Sequence, residues 1–342
     1  MLAIIADDLT GALDSAAPFA GRGLLTELAL QPEAINAALV HKPEVLSINT
    51  GSREMLAEAA GNTIRTVLSL LPDGTTIFKK VDSRLKGNIV SEMEAIPFQS
   101  ALVAPGIPDF GRIVRSGHLQ GFGVDMPIQV ADRLGHHSKR CHIPDTLDHQ
   151  QMLAALCRAQ ADGMDFLVGA RGLAEALAQK MTGRTDGKPA QIPAGPALFV
   201  IGSRDPITLA QVDEARYCRD LQYLAAPNGS LLHEASSPFA LRIVQATPGD
   251  NPATPEEVSQ NLARSVQPQL TRPVRTLLLS GGATAEAVLL ALGISRMRLG
   301  GECLPGLGLA HSQGYCIIAK SGGFGQRDTL KTLANMILER MG

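Results

Sequence analysis

The sequence contains no tryptophan among its 342 residues, and aromatic residues make up only 4% of it. This scarcity argues against a surface that binds nucleic acid by stacking bases on aromatic rings. The formal net charge is only −2. Such a chain has no broad basic field that would attract nucleic acid or an acidic membrane. No apolar run is long enough to predict a helix that crosses a bilayer. We therefore expect neither nucleic acid nor a membrane as a partner.

Cysteine is also sparse. The chain has five cysteines, widely separated and without a C-x-x-C pair, which predicts reduced thiols rather than a disulfide framework or a zinc knuckle. The N-terminus enters a strand pattern at once, and no basic segment precedes its apolar residues, which predicts that there is no secretory signal. Both observations favour a cytoplasmic protein.

Short β-rich runs alternate with helical patterns along both halves of the chain, which is typical of βαβ units. Thr182–Pro196 is rich in Gly and Pro and is predicted to be a linker. We therefore predict an α/β fold of two domains, residues 1–182 and 196–342, with largely parallel sheets and a cleft between the domains. Gly111–Asp145 interrupts the alternation and is predicted to be irregular. The predicted strands are Leu2–Ala6, Leu24–Leu30, Val45–Asn49, Thr76–Lys80, Ala101–Ala104, Ala197–Ile201, Arg242–Ala246, Thr276–Leu279 and Tyr315–Lys320.

The first strand ends in an acid pair. Asp7 and Asp8 follow Leu2–Ala6 directly, and Thr10 and Gly11 come next, at the point where a helix is predicted to begin. Ligands of open α/β sheets bind at the carboxyl ends of strands. Capping of the helix by Asp8 or Thr10 is the alternative explanation, and it accounts for one of these residues but not for the adjacent pair.

Three further strands of the first half are followed by polar residues. Lys79–Asn88 combines four cations, an acid, a hydroxyl and an amide, Arg53 follows Val45–Asn49, and Arg112 follows the strand at Ala101–Ala104. Arginine and lysine suit a carboxylate or phosphate, whereas Asp and Asn suit hydroxyl groups. A solvated turn with a helix cap would explain any single one of these segments, but four of them together predict a crevice for a small, anionic, hydroxyl-bearing ligand.

The second half has glycine-rich turns instead. They lie at Gly202-Ser203, Ser280–Thr284, Gly306–Gly308 and Ser321–Gly325. Glycines at strand-to-helix turns let backbone N–H groups approach phosphate oxygens, and the turn at Ser280–Thr284 opens a helix, so it is the best nucleotide candidate. Glycine turns also arise for purely geometric reasons.

Two other patterns are weaker. Gly183–Pro189 resembles a Walker loop, but its glycine spacing is one residue short and it lacks the Ser or Thr that binds magnesium. His136, His137, Cys141 and His142 cluster in the irregular region, where a polar loop is the simpler interpretation than a metal site.

Taken together, the motifs resemble those of the four-carbon acid sugar kinases, in the right order over nearly the whole chain. The matching segments are Ala6–Ala12, Lys79–Asn88, Ala104-Pro105 with Gly111-Arg112, Gly117-His118, Gly202-Ser203 with Thr208 and Gln211, Ser280–Ala285, Pro305-Gly306 and Lys320–Gly325. The resemblance implies a sugar-acid-binding domain at residues 1–182 and a nucleotide-binding domain at residues 196–342. It also implies ATP-dependent phosphorylation of the terminal hydroxyl of a tetronate such as threonate or erythronate, with Mg²⁺ bridging the ATP phosphates.

The expected site residues fall into three groups. Asp8 is the preferred group to orient or deprotonate the attacking hydroxyl, and Asp82 is the alternative. The substrate-binding candidates are Asp7, Thr10, Arg53, Lys79, Ser83, Arg84, Lys86, Gly87, Asn88 and Arg112, of which Arg53 and the cations of the Lys79–Lys86 segment are expected to hold the substrate carboxylate. The nucleotide-binding candidates are Ser203, Gly281, Gly282, Ala283, Thr284, Gly306, Gly322, Gly323 and Gly325. No metal-ligating residue is assigned.

The chain departs from the family pattern at two of these positions. Ala283 stands where the family usually has an acid, and Arg84 stands where Thr is common. The chain is also short for the family. Ala283 keeps open an acid-sugar-binding protein that has lost catalysis, whereas a nicotinamide-dependent oxidoreductase is disfavoured because no N-terminal dinucleotide fingerprint is present. The sequence leaves the particular acid and the oligomeric state open, a homo-oligomer included.

Overall fold

The computed structural model describes residues 1–231 and 238–341. It divides into two compact units, Met1–Lys188 and Pro189–Gly342. The division falls inside the predicted linker. Each unit has its own hydrophobic core between a sheet and its helices, and this mixed α/β architecture confirms the predicted fold class.

The first unit contains a parallel sheet of seven strands in the order β2-β3-β1-β4-β10-β5-β9. Its strands and those of a small antiparallel sheet are β1 (Leu2–Ala6), β2 (Thr26–Ala29), β3 (Val45–Asn49), β4 (Thr76–Lys80), β5 (Ala101–Ala104), β6 (Arg112–Arg115), β7 (His118–Gly121), β8 (Val124–Gln129), β9 (Cys141–His142) and β10 (Phe166–Gly169). Its helices are α1 (Leu9–Gly21), α2 (Ile35–Leu39), α3 (Ala57–Leu70), α4 (Ile89–Glu94), α5 (Val130–Leu134), α6 (His149–Ala161) and α7 (Arg171–Thr182).

The second unit contains a sheet in the order β12-β13-β11-β14-β17-β16-β15, parallel from β12 to β17 and antiparallel from β17 to β15. Its strands are β11 (Ala197–Ile201), β12 (Leu221–Pro227), β13 (Leu241–Thr247), β14 (Thr276–Ser280), β15 (Arg296–Leu304), β16 (Leu307–Ser312) and β17 (Tyr315–Lys320). Its helices are α8 (Pro206–Ala215), α9 (Pro255–Val266), α10 (Gly282–Ala291) and α11 (Thr329–Glu339).

The central strands carry the sequence signature of a sheet covered on both faces. All five residues of β1 are buried, as are those of β11 and β14, because helices cover both sides of a parallel sheet and leave no solvent-facing positions. The unbroken apolar runs of β1 and β11 explain why their predicted bounds are those observed.

The structure corrects two expectations about secondary structure. The segment predicted to be irregular, Gly111–Asp145, forms the antiparallel sheet β6-β7-β8, helix α5 and strand β9. Strands β15 and β16 form an antiparallel hairpin that was not predicted, and Gly306 (φ 77°) lies in its turn rather than in a strand-to-helix turn.

All five cysteines are free thiols. In the two described segments, no helix has the length and apolar character needed to span a membrane.

Candidate active site

The carboxyl ends of three neighbouring strands bring the polar segments of the first unit together. Ala6 pairs with Asn49 of β3 on one side and with Lys80 of β4 on the other. Because these strands are parallel, the residues that follow each of them emerge at the same edge of the sheet. The acid pair, the Arg53 loop and the segment after Lys80 are therefore neighbours, as the sequence predicted.

Arg53 lies at the centre of three aspartates. Its Nε donates to Oδ2 of Asp7 at 2.9 Å and its Nη2 donates to Oδ1 of Asp7 at 3.0 Å. Its Nη1 donates to Oδ2 of Asp8 at 2.9 Å, and Oδ2 of Asp82 lies 3.5 Å from Nη2. The bidentate bond to Asp7 is the strongest common geometry for an arginine–carboxylate pair. Arg53 thus holds the aspartates in place, and we call these four residues the aspartate cluster.

Burial makes this pairing necessary. Asp7 is only 2% exposed, and burial alone would raise its pKa. The charge and hydrogen bonds of Arg53, with smaller contributions from Lys79 and Lys80, instead hold the pKa of Asp7 below its ordinary value. Burial alone would likewise lower the pKa of Arg53, but Asp8 and Asp7 hold it above its ordinary value. Asp7 and Arg53 are therefore both ionised at neutral pH.

Asp8 has a second task, because it is also the N-cap of α1. Its Oδ1 accepts from the backbone N–H of Gly11 at 2.9 Å, and its Oδ2 accepts from the hydroxyl of Thr10 at 2.7 Å. The capping explanation is therefore correct for Asp8, and the Arg53 contact exists beside it. With the bond from Arg53, the two oxygens of Asp8 accept three hydrogen bonds.

Asp82 is less occupied. Its Oδ1 accepts from the backbone N–H groups of Arg84 at 2.8 Å and Lys86 at 3.3 Å, which folds the segment after β4 into a tight turn. Among the described residues, its Oδ2 contacts Nη2 of Arg53 at 3.5 Å. Gly87 closes the turn at φ 89°, where a Cβ atom would lie 3.0 Å from Oδ2 of Asp7, so the backbone can approach the cluster only at a glycine.

Adjacent lysines of β4 point to opposite faces of the sheet, and only one belongs to the site. Lys79 is fully buried and forms a salt bridge of 3.0 Å with Glu92 of α4, which argues against its predicted contact with substrate. Lys80, which was predicted only as one of the cations of the Lys79–Lys86 segment, lies beside the start of α1, where a Cβ atom at Gly11 would be 2.7 Å from its Nζ and 2.6 Å from Oδ1 of Asp8. The alternation of side chains along a strand was the signal that separates the two.

Asn88 braces the Arg53 loop. Its Nδ2 donates to the carbonyl oxygens of Ser52 at 2.9 Å and Met55 at 2.8 Å. The Ser52 hydroxyl in turn donates to Glu92. The side-chain amide predicted to bind substrate is thus engaged with the backbone on either side of Arg53.

Asp14 is a site residue that sequence reasoning missed. It lies on α1, and its Oδ1 accepts from the Ser15 hydroxyl at 2.9 Å. Among the cations, Lys80 has the largest electrostatic effect on the pKa of Asp14. Burial raises the pKa of Asp14 to about 6, against the opposing effect of Lys80. It lies three residues after Gly11, close to one helical turn, and that spacing was the available signal.

The remaining cations of the first site lie on the other side of Asp82. Arg112 is 3% exposed, and its Nη1 donates to the Ser83 hydroxyl at 2.5 Å while its Nε donates to the Phe122 carbonyl at 3.0 Å. Arg84 lies close to Arg112, whereas the side chain of Lys86 is exposed. These residues form a basic patch next to the aspartate cluster.

In the second unit, three glycine turns converge after β11, β14 and β17. Gly281 has φ 102°, and a Cβ atom there would lie 3.2 Å from the backbone nitrogen of Ser203. A Cβ atom at Gly322 would lie 2.3 Å from Oγ of Ser203. Only glycine therefore fits at these two positions, and the turns can approach one another closely enough to form a nest for an anion. The hydroxyl of Ser280, directly before this nest, is buried and has no hydrogen-bond partner within residues 1–231 and 238–341.

Buried polar side chains donate hydrogen bonds to the third of these turns, the one that follows β17. Thr208 donates to the Gly322 carbonyl at 2.8 Å, and Gln211 donates to the Phe324 carbonyl at 3.0 Å. The ammonium of Lys320 donates to the Thr208 hydroxyl at 3.1 Å and to the Ser321 carbonyl at 3.0 Å. Burial lowers the pKa of Lys320 to about 8, although Asp205 opposes the shift.

The other nucleotide candidates differ in their surroundings. Gly282 and Ala283 form the first turn of α10, where Ala283 is exposed, while Thr284 is buried and its hydroxyl lies 3.3 Å from that of Ser259. Gly323 and Gly325 belong to the third turn. Gly306 lies in the β15–β16 hairpin, outside the nest.

The histidine cluster does not have the chemistry of a metal site. Nε2 of His136 and Nε2 of His137 lie 2.9 Å and 3.2 Å from Glu94, but Nδ1 of His137 accepts from Arg140 at 3.0 Å. A neutral His137 then carries its proton on Nε2, the nitrogen that would have to bind the metal. Cys141 and His142 are not part of this group.

The two sites correspond to two family models. Residues 2–129 match a sugar-binding N-terminal domain, and residues 222–330 match a nucleotide-binding C-terminal domain. A D-threonate kinase of Bordetella bronchiseptica is 28% identical over 405 aligned residues, which cover 99% of this chain and 98% of that protein. The protein is therefore a kinase that pairs a sugar-binding with a nucleotide-binding unit.

Further relatives indicate the family of kinases to which the chain belongs. A 3-oxo-tetronate kinase of Actinobacillus succinogenes is 24% identical, with 99% of this chain and 100% of that protein covered. The crystal structure of Haemophilus influenzae protein HI1011 has the same fold, with a TM-score of 0.68 at 21% identity and with 98% of this chain and 100% of that chain covered. The chain belongs to the four-carbon acid sugar kinase family. Its alignment with the B. bronchiseptica relative is longer than its own 342 residues, so it lacks stretches that this relative contains.

Proposed function

We propose that this kinase uses ATP to phosphorylate the terminal hydroxyl of a four-carbon sugar acid of the threonate or erythronate type. The observation that carries the proposal is the aspartate cluster, in which one arginine fixes three carboxylates at the ligand-binding edge of the sugar-binding unit. Carboxylates at such an edge suit a ligand with several hydroxyl groups, because each oxygen accepts a hydrogen bond.

We assign Asp82 as the group that receives the proton of the attacking hydroxyl. Phosphoryl transfer depends mainly on positioning and on neutralisation of charge, and the catalytic base orients the nucleophile. Oδ2 of Asp82 is the least occupied carboxylate oxygen of the cluster, whereas the two oxygens of Asp8 already accept from Gly11, Thr10 and Arg53. The structure thus favours the alternative over Asp8, which the sequence analysis preferred.

The glycine nest suits the phosphates of a nucleotide. Backbone N–H groups and the N-terminus of α10, a helix of ten residues, favour negative charge there. The buried Ser280 hydroxyl lacks a partner in the part of the chain that the structure describes. Ser203, Gly281 and Gly322 would hold the phosphates, and the bound ATP supplies the phosphoryl group. Mg²⁺ is commonly held by substrate phosphates with few protein ligands, so the absence of a carboxylate at Ala283 is compatible with its use.

The experiment that tests the function is a screen for ADP release with threonate, erythronate, their 2- and 3-oxo relatives and longer aldonates. We expect release with at least one four-carbon acid and much less with the longer ones. Absence of release with every four-carbon acid would overturn the proposal. In that case calorimetry should detect binding of the acid without binding of ATP if the protein has lost catalysis, the alternative that Ala283 keeps open.

Two matched variants test the assignment of the base. Asp82→Asn should lower kcat about 10²-fold or more, the usual contribution of a general base. Asp8→Asn should lower it less, because asparagine is also a good N-cap and keeps the acceptor for Gly11. If Asp8→Asn is the more severe of the two while both variants fold, Asp8 is the base and Asp82 only shapes the turn.

A further inference from the structure

Two arginines of the basic patch converge on one glycine. A Cβ atom at Gly123 would lie 2.9 Å from Nη2 of Arg112 and 3.0 Å from Nη2 of Arg84. Gly123 directly precedes β8 and has φ 70°, a conformation that glycine adopts without strain. The two guanidinium groups therefore lie on either side of Gly123. Any other residue at this position of the β7–β8 hairpin would place its side chain between them.

Hydrogen bonds hold the guanidinium of Arg112 and the backbone of Arg84 in place. Arg112 is bound to the Ser83 hydroxyl and to the Phe122 carbonyl, the residue before Gly123. Arg84 is fixed through its backbone, since its N–H donates to Asp82 at 2.8 Å. Burial, followed by the positive charge of Arg84, lowers the pKa of Arg112 below its ordinary value. An anion placed between the two groups would relieve this repulsion, and planar guanidinium groups match the geometry of a carboxylate.

Arg53, which the sequence analysis expected to hold the substrate carboxylate, is poorly suited to that task. Its guanidinium is surrounded by Asp7, Asp8 and Asp82. A substrate carboxylate brought to the same place would meet three negative charges for one positive charge, which is unfavourable.

We propose that Arg84, Arg112 and Gly123 form the subsite that binds the carboxylate of the sugar acid, so that its hydroxyl-bearing end lies at Asp82. The proposal rests on the function proposed above and adds the orientation of the substrate. Asp82 and Arg84 are two residues apart, so their Cα atoms are at most ~7 Å apart. An extended four-carbon acid measures roughly 5 Å from its carboxyl carbon to its terminal oxygen, from bonds of ~1.5 Å. One such molecule can therefore contact both groups.

The test compares the sugar acid with its neutral carboxamide in wild type and in Arg84→Gln, by calorimetry without nucleotide. The acid is whichever of threonate and erythronate binds wild type more tightly. Wild type should bind the acid at least 10-fold more tightly than the amide. Arg84→Gln should lose most of that preference by weakening the acid alone. Arg115→Gln, the same change at an exposed position of β6, is the matched control and should keep the preference.

A second variant guards against a folding defect in the first. Gly123→Ala places a methyl group between the two guanidinium groups and should also weaken binding of the acid more than binding of the amide. The subsite is refuted if Arg84→Gln weakens the acid and the amide equally or changes neither, or if wild type binds neither acid. Binding of the acid with the expected preference but without ADP release would instead refute the proposed kinase reaction and leave the subsite standing.

Discussion

Arg53→Met removes the cation of the aspartate cluster and should reverse the sign of one contribution to stability. In the wild type the pKa of Asp7 is lowered, so the ionised carboxylate stabilises the folded state. This stabilisation is present above the unfolded pKa of 3.8 and disappears as the pH falls through the lower folded value. Without Arg53, burial is the largest influence on Asp7 and raises its pKa above 3.8. Folding is then penalised as the pH rises above 3.8, when the buried group must ionise.

The size of the effect follows from the geometry of the pair. Breaking a buried ion pair costs about 3–5 kcal/mol, and the side chain of Arg53 is 23% exposed, so solvent screening reduces this to about 2–3 kcal/mol. For a unit of this size the loss corresponds to a fall in Tm of roughly 5–10 °C at pH 7. At pH 3, where Asp7 of the variant is protonated, the difference from wild type should shrink to below about half of that value.

Thermal unfolding followed by circular dichroism from pH 3 to pH 8 measures this difference. Subtracting the variant from the wild type cancels the other titrating groups, and the Arg115→Gln variant controls for loss of an arginine charge. The double variant Arg53→Met with Asp7→Asn should recover part of the stability at pH 7, because no buried charge remains unpaired. A difference in Tm that is equal at pH 3 and pH 7 would refute the reasoning.

Two further predictions concern the second unit and α1. Gly281→Ala should weaken ATP binding about 10-fold or more in calorimetry, because its φ is 102° and the added Cβ would crowd the Ser203 nitrogen, while sugar-acid binding should stay unchanged; equal ATP affinity would refute the nest. Asp14→Asn should raise Tm relative to wild type above pH 6 but not below pH 4, because the raised pKa of about 6 penalises the folded state as the pH rises from 3.8 to 6. An equal change in Tm at both pH values would mean that Asp14 is not the titrating group.

The strand ends of the candidate site were predictable from sequence because buried parallel strands are unbroken apolar runs. This is why Leu2–Ala6 was predicted with its observed bounds. Val45–Asn49 was also predicted with its observed bounds, although Ser47 and Asn49 interrupt its apolar run, and the segments after both strands were expected at one edge of the sheet. The hairpin strand β15 also had a readable signal, since Met297, Leu299 and Cys303 alternate inward. The glycines between them masked this period of two.

The side-chain contacts between residues of the candidate site could not be predicted in the same way. Composition shows that Lys79, Asn88 and Arg53 are polar, but not that Lys79 is paired with Glu92 or that Arg53 is surrounded by aspartates. Those contacts depend on which face of β4 each lysine occupies and on where α4 packs. The approach of Gly123 to Arg112 is a tertiary contact made by a hairpin that the sequence analysis expected to be irregular, and no local pattern encodes it.

The brace formed by Asn88, Ser52 and Glu92 has a consequence for how variation in such kinases is interpreted. These side chains hold the loop of Arg53 through hydrogen bonds, so a change at any of them should be selected against as strongly as a change in the aspartate cluster. A survey of sequence variation would place both sets in one invariant group.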